Sequence, residues 1–122
     1  MPTFKKDEKL SSEKWIKELF AKGSSFYLHP FKVITLPHPK PECANQVLIS
    51  VPARTFKRAV DRNLVKRRVR EAYRLHKHEL VSNQKWLIAY IYTAKEILPS
   101  ALIHEKLPLT LTRIGKTNEE KN

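Results

Sequence analysis

Two glycines and one cysteine are all that this 122-residue chain holds of either residue. So little glycine excludes a glycine-rich phosphate loop, whose backbone must come close to its ligand at several positions without side chains in the way. The lone Cys43 excludes an intramolecular disulfide, and it sits in a proline-rich stretch with no second thiol for a metal site. A reducing, cytoplasmic setting is expected. Long apolar runs are missing as well: Trp86 to Tyr92 is the longest, far below the roughly 20 residues of a membrane-spanning helix. No N-terminal run joins a positive segment, an apolar stretch and a small-residue cleavage site, so no secretory signal is expected. Acidic residues are scarce, 12 against 24 Lys and Arg, which leaves a formal charge of +12. On a small domain that surplus is self-repulsive unless a polyanion relieves it.

Catalytic constellations are lacking too. His29, His38 and His104 lie far apart in the chain, while His76 and His78, two apart, point away from each other on a helix and cannot share an ion. Neither Cys43 nor any serine stands on a recognisable nucleophile turn. Asp7 with Glu8, and Glu119 with Glu120, are neighbours near the ends of the chain, poorly placed as an acid and base pair. No catalytic residue and no metal ligand is expected on this protein.

What the chain does have is one dense cationic stretch, Arg54 to Lys77, carrying ten of its Lys and Arg residues. Read as a helix, it repeats Arg58, Arg62, Lys66, Arg70 and Arg74 at every fourth position, a slowly drifting ladder with Arg67 and Lys77 beside it. Val65, Val69, Ala72, Tyr73 and Leu80 form an apolar stripe for a core. Asp61 suits the positive end of that helix, and Glu71 is within reach of Arg67 and Arg74. A merely solvated helix would mix its charges; this bias points to RNA or DNA. A membrane-surface helix fits less well, because no broad apolar face is left over after core packing.

The rest reads as a frame. Residues 1–9 are polar and basic, with Phe4 and then Leu10 as anchors, and are expected to be flexible. A helix follows, capped by Ser11 or Ser12, with Trp15, Ile16, Leu19 and Phe20 on one face and Gly23 as a left-handed terminal residue. Ser25 to Leu36 reads as one strand, with Pro30 at an edge or bulge. Pro37 to Ala44 is a stiff exposed turn bearing His38 and Cys43, and Gln46 to Val51 a second strand. Lys85 to Thr93 has the character of a central strand buried on both faces. A last helix opens near Pro99 or Ser100 and is expected to kink or split at Pro108; residues 116–122 read as a polar, frayed tail. The expected architecture is one domain over residues 1–122, an α/β (α+β) two-layer sandwich with the basic helix crossing between two strands of a sheet of about four, right-handed by default.

The core of the cationic stretch, Arg62-Asn63-Leu64-Val65-Lys66-Arg67-Arg68-Val69-Arg70-Glu71-Ala72-Tyr73, resembles the signature helix of the bacterial ribonuclease P protein subunit. That family's pattern is Arg-Asn-Arg-x-Lys-Arg-x-x-Arg, then a small residue and an aromatic. Arg62, Asn63, Lys66, Arg67 and Arg70 match it, and Leu64 departs from it. The layout is similar over residues 4 to 115, from Leu10 and Phe20-x-x-Gly23 through Phe31 to Ser50-Val51.

The resemblance implies a sandwich of the ribosomal protein S5 domain 2-like type, its crossover left-handed against the default. It implies that catalysis belongs to an RNA subunit with bound magnesium ions, and that the protein binds that RNA and the single-stranded 5′ leader of precursor tRNA. DNA and membranes are not implied partners. Arg62, Asn63, Lys66, Arg67, Arg70 and Arg74, extended by Arg54, Lys57 and Arg58, are the expected RNA-binding set. Ile16, Phe20 and Ile34 match positions of the family's leader cleft, with Phe31 or Tyr27 as a source of stacking. The same sandwich and helix would also serve a ribosomal or assembly protein that binds structured RNA.

Overall fold

The computed structural model describes residues 8–40 and 42–120, with the backbone alone described at 117–120. Expectations for Phe4, for Pro41 and for the last two residues lie outside the described residues. Helix α1 spans Glu13–Lys22. Strands β1 (Ser24–Leu28), β2 (Phe31–Pro37) and β3 (Gln46–Ser50) follow, then α2 (Ala59–His76), a short 3-10 turn at Lys77–Glu79, β4 (Trp86–Tyr92) and α3 (Ser100–Glu120). The sheet order is β1-β2-β4-β3. Its first two pairings are antiparallel, while β3 and β4 run parallel with α2 between them in sequence, as the sandwich requires. No helix among the described residues is long and apolar enough to cross a membrane.

Side chains alternate along a strand, so the sheet offers two apolar faces. Phe31, Val33, Val47, Ile88, Tyr90 and Tyr92 meet α2 and α3 on one of them, through Val65, Val69, Ala72, Tyr73, Ile103, Leu107 and Leu111. Ile34, Leu87 and Ala89 meet Leu10 and Leu19 on the other, with Trp15 and Ile16 of α1 packed alongside. The two layers of the sandwich are therefore the sheet and the α2/α3 pair, and α1 adds a partial third. β4, central and covered on both sides, is almost wholly buried, as its unbroken apolar sequence requires.

Several local expectations are corrected. Ser25 to Leu36 is not one strand but a hairpin, because the chain turns at His29-Pro30 and Ser25 pairs with Ile34. Gly23 is extended rather than left-handed (φ −69°, ψ 154°). Its glycine character serves close approach instead: a Cβ there would collide with the Leu19 carbonyl and come within 2.7 Å of Ile34 Cγ2. Of the two expected caps of α1 it is Ser12 that serves, as expected, accepting from Trp15 N at 3.3 Å. His38 is buried, not exposed, its ring edge-on to Trp15 with centroids 4.8 Å apart, and burial holds its pKa below the ordinary histidine value.

Helix α3 does not split at Pro108. Proline removes one backbone donor, but Ile103, Leu107, Leu111 and Ile114 keep the packed stripe unbroken across it. Thr110 Oγ1 also donates to the Leu107 carbonyl at 2.6 Å. The helix runs on to Glu120, past the Lys116 at which a tail was expected. Near the N-terminus, Glu8 and Lys9 are anchored rather than loose. Lys9 bridges to Val47, Leu10 N donates to the Val47 carbonyl at 3.0 Å, and Lys77 Nζ lies 2.7 Å from Glu8 Oε1.

Candidate RNA interface

Helix α2 forms because residues 59–76 contain neither glycine nor proline and place Val65, Val69, Ala72 and Tyr73 on one buried face. Its N-cap, Arg58, makes no side-chain capping bond. The entry is held from inside the helix: Arg62 Nη1 donates to the carbonyls of Phe56 at 2.7 Å and Lys57 at 2.9 Å. Phe56 is itself buried, its ring 5.9 Å from that of Tyr92. The loop carrying Arg54, Lys57 and Arg58, all exposed, is thus fixed against the core.

The four-residue ladder is not one face. An α-helix advances about 100° per residue, so steps of four drift by about 40° each, and Arg62 begins beside the core-facing stripe. The residues that do converge are Asn63, Lys66, Arg67 and Arg70, which line an open hollow with the apolar Val60 and Leu64. Their spacings of three and four keep them together. None of Lys66, Arg67 and Arg70 pairs with a carboxylate among the described residues. Arg74 continues this side but is ion-paired with Glu71, Nε lying 3.3 Å from Oε2, and its guanidinium holds the Glu71 carboxyl below the usual range. Arg68 turns away to tether the segment before α3, donating to the Leu98 carbonyl at 2.7 Å.

Arg62 therefore has a structural duty that its place in the signature conceals. Truncating Arg62 to alanine is expected to lower stability by about 1–2 kcal/mol, since two backbone acceptors lose a charged donor. Thermal melts of the free protein check this, and an unchanged Tm would leave Arg62 as an RNA contact alone.

The second group of expected site residues divides. Ile16 and Ile34 pack together beneath α1, with Ile34 buried, and Phe20 is 48% exposed at the helix's end. Phe31 does not join them. A spacing of three puts it on the opposite face of β2 from Ile34, where it is fully buried with ring centroids 5.4 Å from Tyr90 and 6.4 Å from Tyr92. Its assignment to a leader cleft is corrected to the core. Tyr27, by contrast, is 58% exposed and pairs across the hairpin with the exposed Lys32, a cation in an otherwise apolar strand that composition alone did not single out. His76 and His104, far apart in sequence, meet where α2 ends against α3, Nε2 to Nδ1 at 3.2 Å.

Comparison with known proteins gives a consistent set. The family model described as Ribonuclease P matches residues 4–115. The ribonuclease P protein component of Porphyromonas gingivalis strain W83 is 35% identical over 93% of this chain and 89% of its own length. Among solved structures, the RNase P protein from Thermotoga maritima superposes with a TM-score of 0.73 at 25% identity, covering 87% of this chain and 96% of its own. A Staphylococcus aureus RNase P protein mutant with defective mRNA degradation activity gives 0.74 at 26% identity, covering 91% and 90%.

Proposed function

This chain belongs to the ribonuclease P protein family, and on that premise we propose how it takes part in maturing the 5′ ends of tRNA. As a protein component of that ribonuclease it binds RNA. The observation that carries our reading is the hollow on α2, where Asn63, Lys66, Arg67 and Arg70 converge, exposed or half-exposed, on a rigid element. Cations at fixed spacing neutralise neighbouring phosphates and release counterions, and Asn63 adds a hydrogen-bonding group without charge. Arg54, Lys57 and Arg58 extend the patch along the loop, with Arg74 at its far end, weakened by Glu71.

In this reading the protein breaks no bond itself. The RNA subunit supplies the chemistry and holds the magnesium ions; the protein brings two polyanions, catalytic RNA and precursor tRNA, into register. Neutralisation at α2 lowers the cost of that approach and hence the magnesium required. The 5′ leader runs on the α1 side of the sheet, past Ile16 and Phe20, with Ile34 supporting the floor from below. Such work belongs in the cytoplasm, where tRNA is processed.

Reconstitution tests the reading. Added to a bacterial ribonuclease P RNA at low magnesium concentration, the protein is expected to stimulate cleavage of precursor tRNA. RNA binding without stimulation would overturn it in favour of a protein that only holds structured RNA.

A further inference from the structure

Along the chain the histidines make poor partners, since His76 and His78 point apart on a helix. Packing gives His76 a different neighbour. It stands in the last turn of α2, and His104 lies on α3 between Ile103 and Leu107, both buried in the seam where the helices meet. Nε2 of His76 and Nδ1 of His104 face each other at 3.2 Å, with ring centroids 5.4 Å apart and planes at 68°. Both residues are half-buried. Their backbones are fixed: Ala72 and Tyr73 are buried a turn before His76, and Arg68 holds the Leu98 carbonyl just ahead of α3 at 2.7 Å.

A separation of 3.2 Å suits either of two bridges between the nitrogens. One is a shared proton, in an N–H···N hydrogen bond. The other is a metal ion, because ligand bonds of about 2.0–2.1 Å at tetrahedral angles set two imidazole nitrogens about 3.3 Å apart. Binding an ion therefore asks for almost no movement of either helix. A ligating ring must be neutral; burial first, and the neighbouring imidazole next, hold the His76 pKa below the ordinary histidine value. Arg74 and Lys77, on either side of His76 in sequence, are engaged by Glu71 and Glu8. The carboxylates of Glu71 and Glu79 are close enough to interact electrostatically with His104 and His76 without ligating alongside them.

We propose that His76 and His104 form a two-histidine site for one divalent ion of the zinc or nickel class, which fastens the end of α2 to α3. Imidazole selects such ions over magnesium, which prefers an octahedron of oxygens. The site is thus separate from the magnesium chemistry proposed for the RNA subunit. His78 takes no part: it is turned to solvent beside Glu79, Nε2 to Oε1 at 3.4 Å. No third His, Cys, Asp or Glu joins the pair among the described residues, so water fills the remaining positions. Each ring then carries its proton on the far nitrogen, Nδ1 of His76 and Nε2 of His104, and a neutral pair binds the ion without net release of a proton.

The free protein, without an affinity tag and stripped with a chelator, is titrated with Zn2+ and with Ni2+ near neutral pH while its melting temperature is followed in parallel. One ion per chain is expected to bind, and saturation should raise Tm by about 5 °C. His76→Gln and His104→Asn each leave an amide near the position of the lost ring nitrogen, which keeps a hydrogen bond between the helices within reach. Either should weaken the ion by about tenfold or more, since even outer-shell partners are worth that much. His78→Ala should bind as the wild type does, and Mg2+ should leave Tm unchanged. Absence of binding by the wild type, full affinity in both His76→Gln and His104→Asn, or a loss in His78→Ala as large as theirs would overturn the site. These measurements need no RNA, so they decide the site whether or not the protein stimulates cleavage.

Discussion

Replacing Lys66, Arg67 and Arg70 together with alanine should weaken binding to the ribonuclease P RNA about 100-fold near 0.1 M salt. Each phosphate contact on single-stranded RNA contributes about 0.7 to the slope of log affinity against log salt, so three contacts at tenfold dilution from 1 M amount to about two decades. The slope itself should become shallower by about 2. These side chains lie on the solvent side of α2 and make no ion pair among the described residues, so the melting temperature of the free protein should hardly move. Filter binding across a salt series gives both numbers. A large fall in Tm with the slope unchanged would mean that the three cations serve the fold and that the RNA is held elsewhere.

The opposite outcome is expected at Phe31. Its side chain is fully buried, edge-on to Tyr90 and packed against Tyr92. Phe31→Ala removes that area and leaves a cavity in the main core, a loss of about 3–5 kcal/mol. For a chain of this size the melting temperature should drop by more than about 10 °C. Phe31→Leu keeps most of the volume and should cost far less. Were Phe31→Ala to melt like the wild type while selectively losing affinity for the leader, the aromatic would have to face the groove after all. Its pairing register with Tyr92 argues against that.

Much of this molecule was legible in the chain. The cationic helix, its buried stripe of Val65, Val69, Ala72 and Tyr73, the capped first helix and the fully buried central strand all follow from local periodicity and composition. Such signals survive because one face of each element must meet the core whatever its neighbours are. The core position of Phe31 and the separate course of Arg62 were also within reach. Phe31 and Ile34 are an odd number of residues apart on a strand, which already forbids them one face. Arg62 stands out of line with Asn63, Lys66, Arg67 and Arg70 once the drift of a four-residue ladder is followed.

Other features could not be read from the chain. Periodicity carries no record of where Ser25 to Leu36 folds back on itself, nor of which half of the sheet α1 will cover. His76 meets His104, Arg68 reaches Leu98 and Lys77 finds Glu8 only because distant segments pack side by side. Pro108 remains inside a continuous helix because long-range packing of Ile103, Leu107 and Leu111 outweighs a local preference to break.

By itself the sequence determined that this protein binds a polyanion and along which helix, because the stretch carries more positive charge than its two carboxylates, Asp61 and Glu71, can neutralise. The tertiary structure alone decided which cations lie free of any carboxylate on the solvent side of α2, and which, like Arg62 and Arg68, also hold backbone carbonyls.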